Sequence, residues 1–148
     1  MNTSLPYPVA TPEFPQAASR ELWDQVLDGI RQDRPGFFAS AFRGPLGIGE
    51  NQVDDKTLER YERMTEAADA LAIERCLQSF TQVDFCGKLA ALNQGSDVPV
   101  LLLHGDSDAG SPVQSSAERV KQIVPRANLK LYEKGSHSKF GIFISSEL

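Results

Sequence analysis

The chain has 148 residues, enough for about one domain with its own core, and 41% hydrophobic with 24% charged residues is an ordinary globular composition. Fifteen basic against twenty acidic residues give a net charge of -5, and no basic stretch could neutralise a run of phosphates, which argues against nucleic acid as a partner. No apolar run approaches the length needed to span a bilayer, and MNTSLPYPVATP lacks the basic flank and apolar centre of a secretion signal, so no membrane partner and a cytoplasmic location are expected. Cys76 and Cys86 have nine residues between them, without C-x-x-C spacing, and read as two reduced, partly buried thiols.

In chain order, the prolines at positions 6, 8, 12 and 15 forbid a regular helix or central strand over the first sixteen residues. From Ser19, a plausible N-cap, Leu22, Val26 and Ile30 share a helical face with Trp23 and Leu27 beside them, and Arg34-Pro35-Gly36 stops the helix. A short aromatic piece with Phe37, Phe38 and Phe42 follows, then a breaker-rich stretch from Arg43 to Gly49. A long helical region opens at Asp54 or Asp55. Its stripe of Leu58, Tyr61, Met64, Ala68, Leu71 and Ala72 is expected to face a core, with a break near Ala70 before the pattern runs on to Phe80. A short segment from Cys86 to Leu92 ends in Asn93-Gln94-Gly95.

The chain is organised around VPVLLLHGDSDAGSP, Val98 to Pro112. The apolar run ending at His104 reads as a strand buried on both faces of a parallel sheet. Ser111 as N-cap, Pro112 and the capping-box Gln114 then predict a helix along Val113, Ala117, Val120 and Ile123 or Val124, ended by Pro125. Leu129, Leu131 and Glu133 alternate with Lys130 and Tyr132 as a second, half-exposed strand. Strand, helix and strand of these lengths make a right-handed parallel unit, so the fold class is α/β. Chemistry in such sheets gathers at the carboxyl ends of the strands, where Asp106, Asp108 and the loop GSHSKFG with His137 stand. An Asp108–His137 pair there would let a carboxylate fix the imidazole tautomer and support the imidazolium. Two strands are few for so apolar a pair, which calls for parallel neighbours.

HGDSDAGSP after an apolar strand, followed by a helix, a strand and Gly-x-His, resembles the C-terminal half of an α/β-hydrolase. LWDQVLDGIRQDRPGFF, the helical stretch to Phe80 and FTQVDFCGKLAALN are similar to the cap of the cofactor-free haloperoxidase and esterase group. The resemblance implies a partial α/β-hydrolase fold: a helical cap over 1–96 with its Pro-rich entry, then the last strand-helix-strand unit of the core over 97–148. It implies a hydrolase of carboxylic esters or related acyl substrates that uses no cofactor and no metal. Asp108 would be the triad acid and His137 the general base, with His104 and Asp106 as structural neighbours and Phe37, Phe38 and Phe42 lining an acyl pocket.

The family's nucleophile stands in a G-x-S-x-G turn, and this sequence holds no such pentapeptide. The resemblance puts Met1 just after the strand that follows that turn, and GIFISSEL where the family has a longer closing helix. A small-molecule ester would then be the substrate of a complete enzyme, with a complementing chain or a second copy docking on the open sheet edge. The other reading is an inactive remnant that serves as an interaction module. Ser107 in Gly105-Asp106-Ser107-Asp108 is a poor substitute nucleophile, because the lipase class it resembles wants an Asp three residues before its His and position 134 is Lys.

Overall fold

The computed structural model describes residues 4–45 and 55–137. Asp54, most of the breaker-rich stretch after Pro45, and everything after His137 in GSHSKFG and GIFISSEL therefore lie outside the described residues. Among the described residues no helix is long and apolar enough to cross a membrane.

The expected first helix is α1, Arg20–Gln32, capped by the Ser19 hydroxyl, which accepts from the Leu22 N–H at 3.2 Å. Asp33 ends it and starts the next. Its N–H donates to the Gly29 carbonyl while its carboxylate accepts from the Gly36 N–H, opening α2, Arg34–Arg43. The Arg34-Pro35-Gly36 stop is thus also a start, because Pro is tolerated in a first turn whose N–H groups have no helical acceptor. The aromatic piece expected after it is helical.

Next come α3, Asp55–Ala67, and α4, Ala70–Phe80, parted as expected next to Ala70, where Asp69 accepts from the Ala72 N–H at 2.7 Å. Arg34 donates to the carbonyls of Glu66 and Ala68, so the start of α2 satisfies the otherwise unpaired end of α3. Leu58 is buried against Phe42, with Phe38 and Tyr61 packed around them. The rest of the predicted stripe departs from expectation. Met64 is 56% exposed and Leu71 is also mostly exposed, since α3 meets α2 through Leu58 and Tyr61 and carries its later turns past that contact.

α5, Cys86–Gly95, leads toward the sheet. The Pro-rich entry is held by its backbone: Phe85 N–H donates to Pro6 O, Trp23 Nε1–H to Pro8 O and Ala10 N–H to Ala18 O. Cys76 and Cys86 are both free thiols, though Cys76 is exposed rather than partly buried.

β1, Leu101–Gly105, starts later than the apolar run that predicted it, and β2 is Asn128–Tyr132. They pair in parallel from Leu101 opposite Asn128 to Gly105 opposite Tyr132. The crossover is a 3-10 turn, Val113–Ser115, and α6, Ala117–Ile123. Ser111 does not cap it. Its N–H goes to the Asp108 carboxylate and its hydroxyl pairs with Ser4, so the α-helix starts only after the 3-10 turn. Burial on both faces is also not what is observed: α6 packs on the pair, with Val120 and its C-cap Val124 buried, whereas Leu101 is 63% exposed. Only two strands are present among the described residues, and they leave the outer edge of β1 uncovered.

Candidate acid–base site

The loops after β1 and β2 are bonded to each other before either reaches the site. Asp106 N–H donates to Tyr132 O at 3.1 Å, and Ser107 N–H to Gly135 O at 3.0 Å. Lys134 adopts φ 52, in the left-handed region, which turns the chain so that the Gly135 N–H returns to Tyr132 O. Gly135 then lies directly against Gly105, where a Cβ on Gly135 would come within 2.7 Å of the Gly105 Cα. No side chain larger than hydrogen fits between the two strand ends.

This clamp brings Asp108 and His137 together. The Asp108 side chain is fully buried, and its Oδ1 accepts from the Ser111 N–H at 2.7 Å. His137 Nδ1 lies 3.1 Å from both Asp108 oxygens. An ionised carboxylate only accepts, so Nδ1 carries the proton and Nε2 is left as the basic nitrogen. The His137 side chain keeps 27% of its surface exposed while its acid keeps none.

The other acidic and nucleophilic groups stand apart from this pair. Asp106 is exposed and accepts from the Ser107 hydroxyl at 2.8 Å, which gives Ser107 a carboxylate rather than a histidine for a neighbour. Desolvation, then the hydrogen bond with Asp84, push the Cys86 thiol above its ordinary value and keep it a poor nucleophile. His104 is buried at the end of β1 as a packed residue, yet its Nε2 faces the Ser111 carbonyl at 2.8 Å.

A cavity of about 610 Å³ lies between the helices and the loop after β1, lined by Trp23, Phe37, Phe38 and Leu77 and reaching Gly110 and Ser111 beside the acid. None of its lining side chains among the described residues is charged. Phe37 and Phe38 lie on it; Phe42 does not, being packed on Leu58 in the core. Trp23 and Gly110 were not singled out in sequence. The first reads as one more member of an amphipathic stripe, and the second matters only through its closeness to the His137 ring, where a Cβ would stand 3.3 Å from Cγ and Nδ1.

No family model matches the chain. Over 134 residues it is 27% identical to the non-heme chloroperoxidase CPO-A1 of Kitasatospora aureofaciens, a match covering 89% of this chain and 47% of the chloroperoxidase. The crystal structure of a bromoperoxidase from Bacillus anthracis superposes with a TM-score of 0.84 at 21% identity, over 96% of this chain and 51% of that one. An esterase from Exiguobacterium antarcticum superposes at 0.79 with 17% identity, over 97% of this chain and 50% of the esterase. The chain spans about half the length of the curated relatives it matches, and that half is the C-terminal one. Its helices and two-stranded parallel sheet are therefore part of an α/β-hydrolase fold, similar in sequence to the C-terminal half of the non-heme haloperoxidases.

Proposed function

We propose that this chain supplies the acid, the base and the acyl pocket of a serine-hydrolase-type enzyme acting on a small carboxylic ester or related acyl substrate. The observation that carries the reading is the pairing of His137 Nδ1 with both oxygens of a fully buried Asp108. In this reading residues 1–96 serve as the cap and 97–148 as the last part of the catalytic core. The nucleophilic serine stands on the remaining half of the hydrolase fold, which meets this chain along the uncovered edge of β1. Its hydroxyl proton passes to His137 Nε2 as oxygen attacks the acyl carbon, and Asp108 stabilises the imidazolium so formed. The proton then goes to the leaving alkoxide, and the same base activates the water that releases the acid. The uncharged cavity wall favours an apolar acyl group, because a charged one would lose its water without finding a partner. Two unbridged thiols fit a cytoplasmic enzyme.

A fluorophosphonate probe tests the reading on the protein as isolated from its source. One serine outside the present sequence should be labelled stoichiometrically, and His137→Ala should abolish the labelling. Labelling of Ser107, or none at all, would overturn the assignment.

Gly110 offers a finer test. A methyl group there would sit 3.3 Å from the His137 ring and 3.1 Å from the Pro45 carbonyl, which blocks retreat on the other side. Displacing a catalytic base by a fraction of an ångström costs roughly 10- to 100-fold in rate. Gly110→Ala is accordingly expected to lower ester kcat by about that factor with the melting temperature nearly unchanged, measured by steady-state kinetics and thermal unfolding.

A further inference from the structure

We infer that His104 is a positioning residue: its Nε2–H orients the Asp108 carboxylate, through the Ser111 peptide and directly, so that the carboxylate presents both oxygens to His137. The inference deepens the proposed acid–base reading and rests on it. His104 is 2% exposed, and its Nε2 lies 2.8 Å from Ser111 O, 3.3 Å from Ser116 Oγ and 3.5 Å from Asp108 Oδ2. A carbonyl oxygen can only accept, so the Nε2 must carry a proton. The Ser116 hydroxyl donates to Pro112 O at 2.7 Å, leaving its oxygen as a further acceptor toward the ring.

Three atoms that attract a proton therefore surround one N–H, and two of them bear on the acid. Holding the Ser111 carbonyl fixes the residue whose own N–H grips Asp108 Oδ1 at 2.7 Å. The remaining separation of 3.5 Å to Oδ2 is longer than a good hydrogen bond but places a positive N–H dipole beside the second oxygen. In a site this buried such a dipole is weakly screened. Oδ1 is thus held by Ser111 and Oδ2 faces His104, while both stand 3.1 Å from His137 Nδ1. Chain geometry helps: His104 is the fourth residue of β1, so its ring is fixed by the strand rather than by the loop it orients. The acid is held between two histidines whose facing nitrogens differ, Nε2 of one and Nδ1 of the other.

The sequence contains two histidines, so each resonance is assigned by removing one of them. The test is long-range proton–nitrogen NMR on the 15N-labelled chain under alkaline conditions in which imidazoles are neutral. In the wild type His104 should be the Nε2–H tautomer and His137 the Nδ1–H tautomer. His104→Phe keeps the ring volume but removes the donor. It should shift His137 away from the Nδ1–H form, while the backbone amide spectrum stays native. His104→Gln, whose amide nitrogen can stand near the lost Nε2, should restore the wild-type His137 signal. A merely space-filling His104 would instead leave His137 unchanged in His104→Phe, and that result overturns the inference. So does a wild-type His104 protonated on Nδ1, which needs no variant and holds even if His104→Phe fails to fold. If wild-type His137 is not protonated on Nδ1, the acid–base reading itself falls, and this inference with it.

Discussion

Asp108→Asn should reduce ester turnover by about 10⁴-fold and leave the fold intact, a loss of the size expected when a catalytic imidazole is forced into the wrong tautomer. The surroundings of the carboxylate decide which way the new amide turns. Ser111 N–H donates to Oδ1 at 2.7 Å, so the amide oxygen is retained there and the NH2 group takes the place of Oδ2. That group then points a donor at His137 Nδ1, from a position 3.1 Å away in the native acid. Nδ1 must become the acceptor, the proton moves to Nε2, and the base has no lone pair left for the serine. Turned the other way, the NH2 would meet the Ser111 N–H at 2.7 Å, donor against donor, a closer conflict than the 3.5 Å it has with the His104 N–H, so the flipped orientation offers no relief. Measuring kcat/KM of the protein as isolated from its source checks this, with the His137 tautomer followed alongside. A loss smaller than about tenfold would mean that His137 is not the base.

How much of this was legible in the sequence depends on how local each cause is. Strand, helix and strand could be read from periodicity, and the handedness of such a unit brings the two loops to one sheet edge, so spacing allowed an Asp108–His137 pair and the family resemblance singled it out. The cap of Ser19 was visible for the same reason, since a cap is a matter of four consecutive residues. Ser111 shows where local reading fails. Its N-cap signature with Pro112 and Gln114 is intact, yet a buried carboxylate three residues earlier is a better acceptor partner for its N–H, and the helix starts at Ala117 instead. Arg34-Pro35-Gly36 marks the end of α1 as read, but the start of α2 there was not read, because a break and a restart carry the same residues.

What could not be read at all is closeness between distant segments. Nothing in the sequence says that Gly110 lies under the His137 ring, that Arg34 closes the end of α3, or that His104 turns its Nε2 toward the loop that follows it. Met64 and Leu71 err in the opposite direction. Helical spacing marks them as inward, but burial needs an opposing surface, and α2 provides one only as far as Tyr61. The exposed Leu101 is the sheet's version of the same point: an apolar strand records what the fold covers, and the described residues cover one side.

Gly105→Ala should destabilise the chain by about 3 kcal/mol, near the upper end for overpacking, because the obstacle is backbone rather than a flexible side chain. A Cβ at this position would overlap the Gly135 carbonyl and stand 2.8 Å from the Gly135 Cα. Gly135 cannot withdraw without losing the bonds that define the turn, its N–H to Tyr132 O and its carbonyl from Ser107 N–H, each at 3.0 Å. Gly87, exposed in the first turn of α5, is the control: nothing lies within 4 Å of its would-be Cβ. Alanine there should raise stability by about 0.5 kcal/mol through helix propensity and a less flexible unfolded chain. Urea unfolding of both variants gives the comparison, and a Gly105→Ala midpoint equal to that of the wild type would show that the strand ends are not clamped. The consequence reaches the site by the same route. Separating Gly105 from Gly135 moves the loop carrying Asp108 away from the loop carrying His137, so the fraction of Gly105→Ala that still folds should also lose the Nδ1–H signature of His137. Stability and acid–base geometry are coupled at this one contact, whereas Gly110→Ala perturbs the geometry and Gly87→Ala the stability alone.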